Sequence, residues 1–230
     1  MKIALCFLSY NEVECLRKLL PTVDSSTFDE VFAVDGGSTD GSQDVYRQHG
    51  IKIIAQPSRG RGAAFTIAEE ASAADAIVYI STDGNEDPKD LPKFRKYLEG
   101  GADLVIASRM IEGAFNEEDI SWWRPRKWVN QIFVWTVNFL WGKPGVRITD
   151  VSNGYRAMRR GLLKELGINA VGHTIEFQIS IRALKKGLKI SEFPTREGQR
   201  LAGEIKARSF RTGVQFLECL AKEIWIGKKF

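Results

Sequence analysis

Ala76-Ile77-Val78-Tyr79-Ile80-Ser81-Thr82-Asp83-Gly84-Asn85-Glu86-Asp87-Pro88 is the stretch on which the fold turns. An apolar run breaks into a turn crowded with oxygen-bearing side chains, and a proline follows. A run apolar on both pleat faces is a strand covered on both sides. Asp87 and Pro88 read as the cap and first position of a helix. Asp83, not needed for that cap, is left to face whatever lies beyond the carboxyl end of the strand.

Outward from this stretch the same grammar repeats. Apolar runs predict strands over 3–8, 30–34, 51–55, 76–80 and 104–107, and amphipathic stretches predict helices over 12–20, 42–48, 63–72 and 88–98. Strands alternating with helices imply an α/β, Rossmann-like, mostly parallel sheet with helices on both faces. Ligands of such sheets bind beyond the carboxyl ends of the strands. Polar clusters stand there after each strand: 9–12, 35–40, 56–62, 81–87 and Ser108-Arg109. The second half differs. Five of the six tryptophans fall between 115 and 141, interleaved with Arg124, Arg126 and Lys127. A polar turn covers 150–156, a helix is predicted over 176–186, a strand over 189–193, a basic loop over 199–211 and an amphipathic helix over 212–225.

The 230 residues suffice for one large domain or two small ones, and 43% apolar content supports a real core. A net charge of +4, with both signs well mixed, is not the footprint of a nucleic-acid binder. Two histidines exclude a histidine-rich metal site. Three cysteines without metal spacing, Cys6, Cys15 and Cys219, read as reduced thiols, two of them in the core. No stretch approaches the ~18–20 apolar residues of a membrane span. The expectation is a cytoplasmic chain.

Three clusters carry chemistry. Val34-Asp35-Gly36-Gly37-Ser38-Thr39-Asp40-Gly41 follows a strand; Ser38 or Asp40 can cap the next helix, whereas Asp35 is free to accept from a base or ribose. Arg59-Gly60-Arg61-Gly62 combines small residues, which admit a phosphate to the backbone, with two cations; in isolation a plain exposed loop explains it equally well. The 81–87 turn offers oxygens suited to Mg²⁺ or Mn²⁺ shared with a diphosphate.

The ordered set Ser9-Tyr10-Asn11-Glu12, Val34 to Asp40, Gly60-Arg61-Gly62-Ala63 and Asp83 to Pro88 resembles family 2 glycosyltransferases of the GT-A fold. Ala107-Ser108-Arg109, Asp150-Val151-Ser152-Asn153-Gly154-Tyr155-Arg156, Glu176-Phe177-Gln178 and Gly203-Glu204-Ile205-Lys206 narrow the likeness to the dolichyl-phosphate mannose synthase, or polyprenyl-phosphate glycosyltransferase, branch. The resemblance spans about residues 3 to 206 and implies one GT-A domain over 1–210, followed by a helix over 211–230. It implies an inverting transferase that moves a sugar from a GDP- or UDP-linked donor to a polyprenyl or dolichyl phosphate. Ser9, Asn11, Glu12, Asp35, Arg61 and Asp83 would hold the donor nucleotide, and Asp83 with Asn85 the Mg²⁺ or Mn²⁺. Asp83, Asp150 and Arg109 would serve catalysis, and Arg109, Arg126, Arg156, Arg200 and Lys206 would meet acceptor and phosphate.

The chain departs from the family pattern at named places. Ser81 stands where the family usually has the first carboxylate of Asp-x-Asp, so weaker metal binding is expected unless Asn85 and Glu86 compensate. Gly36 replaces a second Asp, and the 153–156 and 203–206 motifs carry substitutions. No carboxylate pair appears between Asp150 and Glu197; Asp150 and Glu176 are the candidate bases. A phosphate acceptor needs none, because its second pKa is about 6. Two alternatives stay open: transfer to a sugar hydroxyl in glycan synthesis, and a non-catalytic nucleotide-sugar-binding module. Trp and basic side chains over 122–141 suit a helix in the headgroup layer or one packed on the core or on a second subunit. Surface helices, a membrane partner or a homodimer would bring the chain to the membrane face.

Overall fold

The computed structural model describes residues 1–58, 60–120, 122–203 and 209–230. Seven strands form one sheet: β1 Ile3–Ser9, β2 Glu30–Asp35, β3 Lys52–Ala55, β4 Ala76–Ser81, β5 Leu104–Ser108, β6 Arg156–Arg159 and β7 Ile190–Pro194. Their order is β3-β2-β1-β4-β6-β5-β7, and β6 alone runs antiparallel to its neighbours. The described residues form eight α-helices: α1 Val13–Leu19, α2 Ser42–Gln48, α3 Arg61–Ala71, α4 Leu91–Glu99, α5 Pro125–Trp141, α6 Leu162–Glu165, α7 Ile175–Lys186 and α8 Ser209–Ile226. The mostly parallel α/β architecture expected from the sequence is the one found.

Every residue of β1 is buried. Successive side chains point to opposite faces, so one strand feeds two cores. Ile3, Leu5 and Phe7 pack with Leu16, Tyr46 and Phe94 on one side. Ala4, Cys6 and Leu8 pack with Phe65, Phe133 and Phe177 on the other. In register, β1 sets Ser9 beside Asp35 and Leu8 beside Ser81. The ends of β2 and β4 therefore flank β1 at one rim, ~10 Å apart by strand spacing.

The expected polar turn over 150–156 passes directly into β6, which the apolar pattern does not announce. Two of its four residues are arginines. Arg156 is fully buried, donating from Nε to the Asn153 carbonyl at 2.7 Å and from Nη1 to the Glu176 carbonyl at 3.0 Å. At the other end Arg159 pairs with Asp103 at 2.5 Å. Helix α5 turns Phe133, Val134 and Val137 inward. Its opposite face leaves Ile132, Trp135 and Phe139 exposed, Phe139 at 89%. Helix α8 stacks Phe216 on Phe177 at 4.9 Å. It also sinks Glu223 between Arg182 and Lys185, both 2.7 Å away.

Candidate active site

The carboxyl ends of β1, β2 and β4 open into a cleft of about 990 Å³. Each polar cluster singled out in the first half reaches it: Ser9, Gly36, Gln56, Ser81 and Arg109 all line its wall. Arg61, Asp83, Arg126, Glu197 and Arg200 line it as well.

The turn after β2 is tightly laced. The Asp35 carboxylate accepts from the Gly37 and Ser38 amides at 3.1 and 2.9 Å, from Ser38 Oγ at 2.5 Å and from Gln43 Nε2 at 2.8 Å. Asp35 is thus at the rim, as expected, but fully buried and spent on its own turn; Gly36 and Tyr10 are the groups that face the cleft. Asn11, in the left-handed region at φ 52°, stitches the β1–α1 loop to this turn. Its amide donates to Ser38 Oγ at 2.8 Å, and its Oδ1 accepts from the Thr39 amide at 2.8 Å. Glu12 pairs with Arg200.

The turn after β4 is different. Asp83 Oδ1 and Asn85 Oδ1 are buried and, among the described residues, have no hydrogen-bond partner. Burial pushes the Asp83 carboxyl up, against the pull of Arg200 and Arg61. Glu86, whose Oε2 accepts from the Ser81 amide at 2.7 Å, is pushed up to about 8 by burial and by the neighbouring Asp83 charge. The segment after β7 crosses this turn. Gly198 donates to the Asn85 carbonyl at 2.8 Å, Leu201 donates to the Asp83 carbonyl at 3.0 Å, and Arg200 Nη1 lies 3.7 Å from Asp83 Oδ2.

On the far wall the charged side chains around Arg109 are saturated. All five N–H groups of Arg109 are engaged: Nε and Nη2 on Asp150 at 2.7 and 3.0 Å, Nη2 also on Ser152 at 3.1 Å, and Nη1 on the two oxygens of Glu197 at 3.0 and 3.2 Å. Asp150 is wholly buried. Burial alone would raise its carboxyl, but the Arg109 charge and hydrogen bonds hold it below the ordinary range. The expectation that Asp150 acts as a base is therefore corrected: it has no face on the cleft and serves to fix Arg109. Arg156 is corrected likewise. Its guanidinium is sealed among carbonyls, where burial pulls it down to about 10, and it cannot meet a phosphate from there. Arg126 stands at the cleft but pairs with Glu117 and Glu118 at 2.7 and 2.8 Å. Arg61 pairs with buried Glu176, so Glu176 is not a free base either. Lys206 lies outside the described residues.

Glu197 is the residue that sequence reasoning passed over. Its carboxylate accepts from Arg109, from Asn116 Nδ2 at 3.0 Å and from Asn85 Nδ2 at 3.2 Å, and burial pushes it up. It follows β7, so the strand-end rule that found the other clusters applies to it too. Among the described lining residues the charges balance: Arg61, Arg109, Arg126, Lys127 and Arg200 against Glu12, Asp83, Glu117, Glu118 and Glu197.

The family model for glycosyl transferase family 2 matches residues 5–167, most of the chain and all of the rim from β1 to β6. The chain belongs to glycosyl transferase family 2. This glycosyltransferase is 29% identical over 222 residues to a dolichyl-phosphate hexose transferase of Haloferax volcanii, covering 93% of this chain and 90% of the relative. It is 28% identical over 198 residues to the glycosyltransferase AglJ of the same organism, covering 84% of this chain but only 62% of that relative's length. The likeness therefore falls in the polyprenyl-phosphate branch expected from the motifs. Among solved structures, glucosyl-3-phosphoglycerate synthase from Mycobacterium tuberculosis in complex with UDP superposes with a TM-score of 0.74 at 19% identity, covering 96% of this chain and 79% of that one. That likeness establishes the GT-A fold.

The fold family implies a divalent cation beside the 81–87 turn, and the residues present fit one. Two hard oxygens in one turn, the buried Asp83 Oδ1 and Asn85 Oδ1, are left unsatisfied among the described residues, and orphaned buried acceptors are costly unless a ligand completes them. No group of three His, Cys, Asp or Glu side chains that could hold a metal ion occurs among the described residues. Such a site suits an ion that keeps waters and takes its remaining ligands from phosphates. A divalent cation there would supply Lewis-acid stabilisation to a departing diphosphate.

Proposed function

We propose that this glycosyltransferase moves a hexose from a nucleoside-diphosphate donor, held with Mg²⁺ or Mn²⁺ at Asp83 and Asn85, to a polyprenyl phosphate. One observation carries the acceptor assignment. Every carboxylate lining the described cleft is already paired with a cation: Glu12 and Asp83 with Arg200, Glu117 and Glu118 with Arg126, and Glu197 with Arg109. A sugar hydroxyl needs a base to take its proton. A phosphate monoester arrives largely as a dianion and supplies its own nucleophilic oxygen. The name of the dolichyl-phosphate hexose transferase relative supports the same class of acceptor.

The charge balance supports the metal. A diphosphate entering a cleft with equal numbers of acidic and basic groups leaves an excess of negative charge, which a divalent cation offsets. No helix among the described residues is long and apolar enough to cross a membrane. The exposed face of α5 offers a peripheral route to a lipid acceptor at the cytoplasmic face.

A second reading has one observation in its favour. Glu197 faces the cleft with a carboxyl pushed up by burial, as a base for a sugar hydroxyl would be. The test is to incubate the purified chain with UDP- and GDP-hexoses, Mn²⁺, and either dolichyl phosphate in micelles or soluble oligosaccharides. Labelled lipid product is the expected result. Transfer to oligosaccharide with none to lipid phosphate would overturn the proposal and favour Glu197 as a base.

A further inference from the structure

We infer that Arg61 and Ser81 together hold one phosphate of the donor independently of the metal, so that the chain keeps its grip on a nucleoside diphosphate when divalent cations are removed. The inference rests on reading the cleft as the donor site, and it assigns a consequence to the departure at position 81.

The guanidinium of Arg61 has a closed side and an open one. Its Nε is committed to Glu176, whose side chain is only 3% exposed. Its Nη1 and Nη2 face Ser81 Oγ at 3.5 and 3.4 Å. Charge-assisted contacts of this kind normally close to ~2.7–2.9 Å, so these donors are barely used. The side chain is 22% exposed, at the cleft wall. A carboxylate at position 81 would meet this edge in a two-point fork and cap it. Serine leaves the edge available and removes one negative charge two residues from Asp83.

The backbone is arranged to put the guanidinium there. A Cβ on Gly154 would collide with Arg61 Nη2, and a Cβ on Gly60, at φ 132°, would collide with the Val171 carbonyl. Glycine at 60 lets α3 start here, and glycine at 154 leaves room for the guanidinium. Two cationic loci then share the work: a metal at the orphaned oxygens of Asp83 and Asn85, and a fixed guanidinium beside Ser81. A diphosphate has a phosphate for each.

Calorimetric titration of the whole chain with UDP and with GDP, in Mn²⁺ and then in EDTA, tests this. For the parent chain, chelation should weaken binding by about tenfold or less, since one charge-assisted subsite is worth roughly ten- to a hundredfold. Ser81→Asp should widen that ratio to about a hundredfold or more, because it occupies Arg61 while adding a metal ligand. Arg61→Gln with Glu176→Gln, which removes both members of the ion pair together, should keep Mn²⁺-supported binding and lose the metal-free component. If the double variant fails to melt cooperatively, the Ser81→Asp ratio decides alone. Parent binding that vanishes in EDTA, or an unchanged ratio in Ser81→Asp, overturns the inference while leaving the donor site intact. Failure of either nucleotide to bind the parent even with Mn²⁺ overturns both.

Discussion

The two walls of the cleft are built on opposite principles. Around β4 the polar side chains are incomplete: among the described residues the Asp83 and Asn85 Oδ1 atoms have no donor, and the outer edge of Arg61 makes only long contacts. Around β5 and β6 the charged groups are complete: Arg109 spends five N–H groups, Asp150 is enclosed, and Glu197 accepts from three residues. A buried polar group left unpaired costs ~1–3 kcal/mol. Such groups persist where a ligand will satisfy them, whereas a saturated network holds shape. The open wall is therefore the one whose removal should cost activity, and the closed wall the one whose removal should cost the fold.

Asp83→Ala gives the largest separation of these two effects. Loss of the proposed metal ligand should forfeit several kcal/mol of transition-state stabilisation, a fall in kcat of about a thousandfold or more. The melting temperature should stay level or rise, because a desolvated carboxylate with an orphaned oxygen is removed. Steady-state kinetics beside a thermal melt reads both. A variant that unfolds while the remaining folded fraction turns over normally would erase the distinction between the walls.

Asp150→Ala probes the other side. It leaves the Arg109 charge beside Glu197 alone and strips acceptors from the Ser152 and Asn153 amides. Breaking a buried, hydrogen-bonded pair costs ~3–5 kcal/mol, visible as a lower denaturant midpoint. Turnover by the molecules that remain folded should fall far less than in Asp83→Ala. A stable Asp150→Ala protein with no activity would move Asp150 back among the reacting groups.

How much of this was legible beforehand follows the same division. Strands β1, β2 and β4 were readable because both faces of each are buried, leaving uninterrupted apolar runs. The rim clusters were readable because parallel strands all end on one side. Strand β6 was not, since Arg156 and Arg159 are satisfied by groups distant in sequence, the Glu176 carbonyl and the Asp103 carboxylate. The same long-range bonding hid the roles of Asp150 and Arg156, whose sequence context looks like an exposed polar turn. Asp35 was rightly placed at the rim, but its four local bonds are short-range geometry that the Asp-Gly-Gly-Ser spacing could have suggested.

The closed wall should also respond to pH. Glu192 accepts from the Thr149 amide at 2.9 Å and the Asp150 amide at 3.2 Å, holding the strand of backbone that carries Asp150. Burial outweighs those donors, and the nearby Asp150 charge adds to it, so the Glu192 carboxyl is pushed up to about 7. The folded chain then retains a proton that the unfolded chain has released near pH ~4.3. Its stabilising effect is present below that range and is lost as pH rises through about 7, at most ~4 kcal/mol. Glu192→Gln should flatten the decline of the melting temperature between mildly acidic and mildly alkaline buffer. Parallel curves for parent and variant would remove Glu192 from the account.

The smallest effect concerns the proposed approach of the cleft to a lipid. The cations at the start of α5 are already used: Arg124 on Asp119 at 2.9 Å, Arg126 on Glu117 and Glu118, and Lys127 on Asp119. Little net positive charge is left for anionic headgroups, so attraction must come from the aromatic face, with Trp135 65% and Phe139 89% exposed. Aromatic side chains with a polar edge favour the interfacial layer. Sedimentation with neutral phosphatidylcholine vesicles should therefore capture the chain and resist added salt, since screening acts on exposed charges rather than on apolar contact. Trp135→Ala with Phe139→Ala should lower that partition by about tenfold, given ~1.5–3 kcal/mol for each large apolar side chain fully buried and less at an interface. Capture that needs anionic lipid and disappears in high salt would mean that the Glu117–Asp119 pairs open at the membrane, making the start of α5 an electrostatic contact instead.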